Sequence, residues 1–442
     1  VRAWGHLFSV VELAKNRRRI IFWPKAVNDA FQRDGVAPFP FYLGTPLEHL
    51  QRVFDGTHAS SFDLTCAFFQ HEVDPEVQPF FCFEAPSGAA YAFRRLPMGF
   101  VASCEIQQCF TIDLACNDVL PPDVYIDGAR YVGSLIDTTR ALQYAEQACK
   151  KANAVATFSP PQTTHEWLGV LYDYTNKTVS LAPKIVNKLA AFMDNMSDWS
   201  LRDMMAAFSY LFYGSAILQI PLSHYFHCVR FYIRRCREAP KRKLNAAAHV
   251  WPCIRDKLMQ WIEAVTTNTP VTPKRKREPL WYVYTDSSTS GWGAVAYELQ
   301  TGRIIDVAGR WTRSEKLHIN VKELLAVRNA LTHFAPTLGD DPVLLFCDNM
   351  TAKATIKRGI GRSFPLNLAL LQTTKHTNWQ DILYIASADN PSDEPSRGAS
   401  VDIQKLLHHV QQLASAERVG FSDSVTPSTV RHGGYSAAAQ RA

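Results

Sequence analysis

The sequence has no C-x-x-C pair among its ten cysteines, so neither a zinc ribbon nor a disulfide framework is indicated, and a reducing compartment is the expectation. It has no run of 18 uncharged apolar residues, so no membrane-spanning helix is expected. It has no internal repeat and no strong charge of either sign; a formal net charge of +6 and a pI near 8.7 allow a polyanionic partner without demanding one. The first residue is Val1, not methionine, which suggests a fragment, a processed product or a domain cut from a larger polyprotein. What is present is ordinary globular composition, 47% hydrophobic and 20% charged over 442 residues, enough for two or three domains with real cores.

Texture changes along the chain. Residues 1–180 alternate short strand-like runs, RRRIIFW and SFDLTCAFF among them, with polar turns and helical patterns, as a mixed α+β domain does. Residues 181–270 carry apolar residues at helical spacing, with Pro221 and Pro240 as punctuation, and read as a helical connector. Residues 271–279, within TTNTPVTPKRKREPL, read as an exposed basic linker. Lys274–Arg277 fit a nuclear import signal and a nucleic-acid backbone contact equally well. A further α/β domain is expected over 280–398, and a flexible tail, with one helix in VDIQKLLHHVQQLASAE, over 399–442.

Carboxylates at strand ends carry the chemistry. Asp63 closes an apolar run in FDLTCAFFQ, and Asp127 sits in VYIDGARYVG, where Asp-Gly between alternating apolar residues predicts a tight hairpin with Gly128 supplying positive φ. Two strand-borne carboxylates sharing one sheet edge suit divalent ions that activate a hydroxyl and neutralise a triphosphate; the alternative is two surface aspartates in turns. Later, YTDSSTSGWGAV carries Asp286, HINVKELLAV carries Glu323, LLFCDNMTA carries Asp348 and NPSDEPSR carries Asp393. Each of these acids sits at a strand end, on a helix or in a turn; for Asp393, beside Pro391 and Ser392, a capping or turn role is the bland alternative. His224, His227 and Cys228 share a helical face but have no second ligand cluster, so packing is the expected role.

In order and spacing, RRRIIFW, FDLTCAFFQ, FRRLPMGFVAS, VYIDGARYVG and HEWLGVLYD resemble the successive motifs of retroelement reverse transcriptases, and the TDSS, GWGA and FCDN contexts resemble ribonuclease H. In texture the chain is nearest to DIRS-like tyrosine recombinase retrotransposons, including the VIPER type of trypanosomatids. The resemblance implies an α+β multidomain protein: a right-hand palm and fingers polymerase fold, a helical thumb or connection segment, and an α/β ribonuclease H-like domain. It implies RNA-templated DNA synthesis and cleavage of RNA in RNA–DNA hybrids, with RNA template, DNA primer, hybrid and dNTPs as partners and two Mg²⁺ or Mn²⁺ ions per active site, in the cytoplasm and/or nucleus.

By the same resemblance Asp63 and Asp127 are polymerase metal ligands, and Asp286, Glu323, Asp348 and Asp393 those of the nuclease. It implies that Arg19 and Lys25 meet the incoming triphosphate, a solvated basic face being the alternative for Lys25, that Phe68 excludes a ribose 2′-OH, and that Met98 and Gly99, after Pro97, lie under the nucleotide base, a simple turn being the alternative. Trp167, Leu168 and Gly169 match the hairpin that grips the primer end, with a buried strand as the alternative. Two departures stand out. Gly128 replaces the second aspartate of Tyr-x-Asp-Asp, and ATFSPPQTT lacks the lysine the family places before its WLG hairpin. A catalytically decayed or domesticated copy that serves as a nucleic-acid-binding scaffold is therefore the alternative class.

Overall fold

The computed structural model describes residues 2–12, 17–33, 43–238, 243–311, 317–373 and 379–420. Contacts divide the chain into two units: Val1–Ile185 with Ala216–Leu218 and Asn268–Lys274, and Val186–Ser215 with Gln219–Thr267 and Arg275–Ala442.

The first unit is organised by a four-stranded antiparallel sheet in the spatial order Asp123–Tyr125, Gly128–Gly133, His58–Leu64, Ala156–Gln162. Alternation along His58–Leu64 buries Phe62 and Leu64 and leaves Asp63 exposed, because successive side chains point to opposite faces. The buried face packs on Leu135–Lys151, whose Thr138, Ala141, Ala145 and Cys149 recur at helical spacing. Ser134 starts that helix by accepting the Asp137 N–H, and Lys150 and Lys151 complement its C-terminal dipole. A two-stranded ribbon, His6–Glu12 with Arg17–Trp23, and a three-stranded sheet, Thr164–Trp167, Val170–Asp173 and Thr178–Leu181, complete the framework of the unit.

In the second unit the helices Leu201–Ile217, Phe226–Glu238 and Pro252–Thr266 follow the 3.6-residue apolar pattern. Trp261 is fully buried among them, stacked on Tyr225 at 4.8 Å and donating from Nε1 to Ser215 Oγ at 2.8 Å. His227 stacks on Phe364 at 5.6 Å, a packing role. Pro240 lies outside the described residues.

The rest of this unit is built on a five-stranded sheet ordered Ile304–Arg310, Gly291–Glu298, Trp281–Ser287, Val343–Cys347, Trp379–Tyr384. The first two pairings are antiparallel and the last two parallel. Helix Ile319–Leu338 lays Leu324, Val327, Leu331 and Phe334 on one face; Tyr282, Tyr284 and Phe346 form a second core on the other with Leu406. Burial on both faces explains why Trp281–Ser287 is buried at every position.

Along 271–279 the side chains of Lys274–Glu278 are exposed, while Val271 exchanges both backbone hydrogen bonds with Val179 and the Arg277 guanidinium donates to Asp340 O at 2.5 Å. Within the VDIQKLLHHVQQLASAE stretch a helix is found, Ile403–Gly420, whose Leu406 is fully buried because its apolar side completes the second core. Residues 421–442 lie outside the described residues.

Candidate active sites

Asp286 lies near the C-terminal end of the central strand, Asp348 directly follows the parallel strand beside it, and Glu323 stands in the second turn of helix Ile319–Leu338. Ligand atoms of these three lie within 4.8 Å of one another, the only such group of three or more potential metal ligands among the described residues. His318 caps the Glu323 helix by accepting the Asn320 N–H, and Asn349, next to Asp348, caps the following helix and donates to Asn320 Oδ1 at 3.0 Å.

Concentrating acids in a desolvated place raises their proton affinity. Burial, then the Asp348 and Asp393 charges, push Asp286 up to about 6. Burial, then Asp286 and Asp348, push Glu323 up to about 9. Glu323 Oε2 is buried with no hydrogen-bond partner. A compact set of carboxylate oxygens with one orphaned acceptor fits hard divalent cations such as Mg²⁺ or Mn²⁺.

Asp393 stands outside the group of three. Its carboxylate is held by Arg397 at 2.7 Å, yet it is close enough to Asp286 to raise the latter's proton affinity. The turn that carries it lies flat on the sheet: a Cβ on Gly293, the register partner of Asp286, would come within 2.4 Å of Ser396 N, and one on Gly291 within 2.8 Å of Ser396 O. The GWG glycines are thus an approach surface. Ser387 Oγ donates to Asp348 Oδ2 at 2.6 Å, and the Ser396 side chain hydrogen-bonds Asp286. Neither serine was singled out by the sequence, where both sit among turn-forming neighbours.

A cavity of about 840 Å³ adjoins this cluster, lined by Lys322, Arg310, Arg397 and Trp311 with Ser396. Among the described residues three cations and no acid line it, and the buried Trp311 indole N–H has no hydrogen-bond partner there.

In the first unit, Asp63 is paired in register with Gly128, the neighbour of Asp127, and Leu64 N donates to Asp127 O at 2.9 Å. The two carboxylate-bearing residues therefore occupy adjacent chain segments at one sheet end. Asp63 is exposed, Asp127 is half-buried, and the Asp127 charge, after burial, raises the Cys104 thiol.

The hairpin differs from the Asp-Gly expectation. Its two-residue turn is Ile126–Asp127, and Ile126, not Gly128, has the positive φ, +52°. The reason lies on helix Ser103–Ala115. Gln108 accepts from Ile126 N at 2.5 Å and donates to Val124 O at 3.2 Å, while Thr111 Oγ1 donates to Ile126 O at 2.7 Å. Three tertiary bonds hold a β-branched residue where its own preference opposes it. Gly128 opens the next strand, buried, with the Trp167 ring 3.5 Å from where a Cβ would stand.

Trp167 is a buried strand end; Leu168 and Gly169, with φ of +51° and +82°, form the two-residue turn to Val170. The fully buried Arg130 sits over both Trp167 and Tyr172, its charge met by Asp123 at 2.6 Å. Phe68 lies half-buried in the short 3-10 turn Ala67–Gln70 after the Asp63 strand. Met98 O accepts from Phe22 N at 2.9 Å, and Gly99 follows with φ +107°; a Cβ there would lie 2.2 Å from Phe22 O. Asn28 closes this loop by donating to Gly99 O and accepting from Val101 N. Arg19 is half-buried on the ribbon, whereas Lys25, expected to meet a triphosphate, forms an ion pair with Asp29 one helical turn on.

Comparison with known proteins divides along the same line. Residues 277–386 match the family described as the RNase H-like domain found in reverse transcriptase. That span holds Asp286, Glu323 and Asp348 but ends before Asp393. Across most of the chain the fold is similar to that of the foamy viral protease-reverse transcriptase solved with double-stranded DNA, at 14% identity and a TM-score of 0.51, covering 86% of this chain and 65% of that one. A second foamy viral protease-reverse transcriptase with double-stranded DNA has 14% identity and a TM-score of 0.49, covering 86% of this chain and 77% of that one. The structure with an RNA/DNA hybrid has the same identity and TM-score, covering 87% and 50%. This chain therefore spans about two thirds or less of the first and third of those chains. No curated protein sequence matches significantly. Among the described residues no helix is long and apolar enough to cross a membrane.

Proposed function

We propose that this chain is the reverse transcriptase and ribonuclease H region of a retroelement, with metal-dependent cleavage of RNA in RNA–DNA hybrids as its better-equipped activity. The observation that carries the reading is the convergence of Asp286, Glu323 and Asp348 within 4.8 Å around an unpartnered Glu323 oxygen. Two Mg²⁺ or Mn²⁺ ions held by these residues and Asp393 would supply an activated water and stabilise the leaving 3′ oxygen. The chain's own part is to hold the oxygens in place. The Asp286 strand, the Glu323 helix and the Ser387 hydroxyl fix three carboxylates, and the cationic cavity beside them suits a nucleic-acid backbone. The texture of the sequence favours a DIRS-like element.

The second activity is RNA-templated DNA synthesis from dNTPs on a DNA primer, with Asp63 and Asp127 as metal ligands, Arg19, Phe68, Met98 and Gly99 around the nucleotide, and Trp167, Leu168 and Gly169 at the primer end. Gly128 and the Lys25–Asp29 pair favour a weakened polymerase, and they are what keeps the scaffold reading alive for this site. Paired assays test both: hybrid cleavage and primer extension by the purified chain in Mg²⁺ and in Mn²⁺. Cleavage that Asp286→Asn removes is the expected result. A wild-type chain that extends a primer efficiently but leaves the hybrid intact overturns the ranking.

A further inference from the structure

Segment 385–398 reaches the cluster at several points, and one residue in it has no catalytic chemistry of its own. Asn390 is fully buried, as is Ser392. Its Nδ2 donates to the backbone oxygen of Thr285, the residue before Asp286, at 3.1 Å. Its Oδ1 accepts from Ser392 N at 3.2 Å and Ser392 Oγ at 2.7 Å, just before Asp393. Its backbone oxygen takes the Asp393 N–H at 3.2 Å and the Lys405 ammonium at 3.3 Å; Lys405, on the 403–420 helix, also pairs with Glu394 at 3.0 Å.

We infer that Asn390 is a positioning residue for the metal-binding carboxylates, spanning the backbone of the Asp286 strand and the loop that presents Asp393. The inference rests on the nuclease reading and deepens it. Asp393 is not among the three clustered acids, and its ionic partner among the described residues is Arg397, whose side chain is 68% exposed and holds it weakly. The direction in which Asp393 approaches is therefore set by the buried part of the loop. An amide suits that place. It can give one hydrogen bond to a strand carbonyl and take two from the loop without bringing a charge into a crowd of acids. Aspartate would keep the acceptor and lose the donor. Leucine would keep the volume and lose both.

Mn²⁺ binding to the full chain by calorimetry, with cleavage measured separately, tests this. Residues that orient metal ligands from behind typically change metal affinity by roughly 10- to 100-fold. Asn390→Ala is expected to weaken Mn²⁺ by at least about tenfold. Asp393→Asn weakens it too, and the double variant is weaker than either single but by less than the product of the two losses, because Asn390 acts partly through the Asp393 loop and partly through the Asp286 strand. Ser392→Ala, which leaves the bond to Thr285 in place, weakens it in the same direction by a smaller factor and decides the matter if Asn390→Ala does not fold. Wild-type affinity in folded Asn390→Ala or in Ser392→Ala, or losses that multiply in the double variant, overturns the inference. Wild-type protein that binds Mn²⁺ yet cuts no hybrid refutes the proposed function and leaves the calorimetric comparison to judge Asn390; a wild type that binds no Mn²⁺ sinks both.

Discussion

Cation binding by the Asp286, Glu323 and Asp348 cluster should release a countable number of protons. With Glu323 pushed up to about 9, its carboxyl keeps about 99% of its proton at pH 7, and Asp286, pushed up to about 6, keeps about 10%. Divalent ions bind the ionised forms, so loading should expel about one proton per protein at pH 7, nearly all from Glu323. Calorimetric titration with Mn²⁺ in buffers of different ionisation enthalpy reads this number as a slope. The slope should fall towards zero as pH rises through 9, and Mn²⁺ affinity should tighten by roughly tenfold per pH unit between 7 and 9. In Glu323→Gln the release at pH 7 should drop to about 0.1. The sign for the metal-free protein follows from the same shift. Glu323 titrates at 4.5 when unfolded and higher when folded, so it contributes stability below 4.5 that is lost as pH rises through about 9. Mn²⁺ should therefore raise the melting temperature more at pH 8.5 than at pH 6. A slope near zero at pH 7, with Mn²⁺ bound, would refute the reasoning: Glu323 would already be ionised.

Three other outcomes follow from geometry. Gly128→Asp should be accommodated, since its Cβ meets only ordinary contacts, and should raise nucleotide incorporation in a primer-extension assay; an unchanged rate in folded protein would place the defect elsewhere. Gln108→Ala removes both bonds to the Ile126 turn and should cost about 1–3 kcal/mol in urea unfolding while depressing incorporation and sparing hybrid cleavage. Arg397→Gln releases Asp393 from its exposed ion pair and should strengthen Mn²⁺ binding by a few-fold, with stability changed by less than about 1 kcal/mol; weaker binding would show that the guanidinium assists the site.

What the sequence displays depends on how local the cause is. Apolar spacing announces helices such as Pro252–Thr266 and Ile319–Leu338 because each buries a face set by its own periodicity. Motif contexts single out Asp286, Glu323 and Asp348 because strand ends and a helix turn carry them to one point. The turn at Ile126 is not legible locally, since local chemistry favours Asp-Gly whereas Gln108 and Thr111, 18 and 15 residues away, fix the turn one residue earlier. Asn390 is equally silent in the sequence: its partner carbonyl is 105 residues distant, and Asn-Pro reads simply as a loop.

Gly99 offers a readout that no test tube provides. With φ +107° and the Phe22 carbonyl where a Cβ would stand, no side chain fits there, whatever part its backbone takes beside the nucleotide; Gly88, with φ +81°, has nothing within 4 Å. Sister copies of this gene would therefore record what selection has demanded. A lineage kept as a folded scaffold retains Gly99 while Asp286 and Glu323 drift, one kept as a working nuclease retains all three, and one abandoned loses Gly99 as readily as any neutral site.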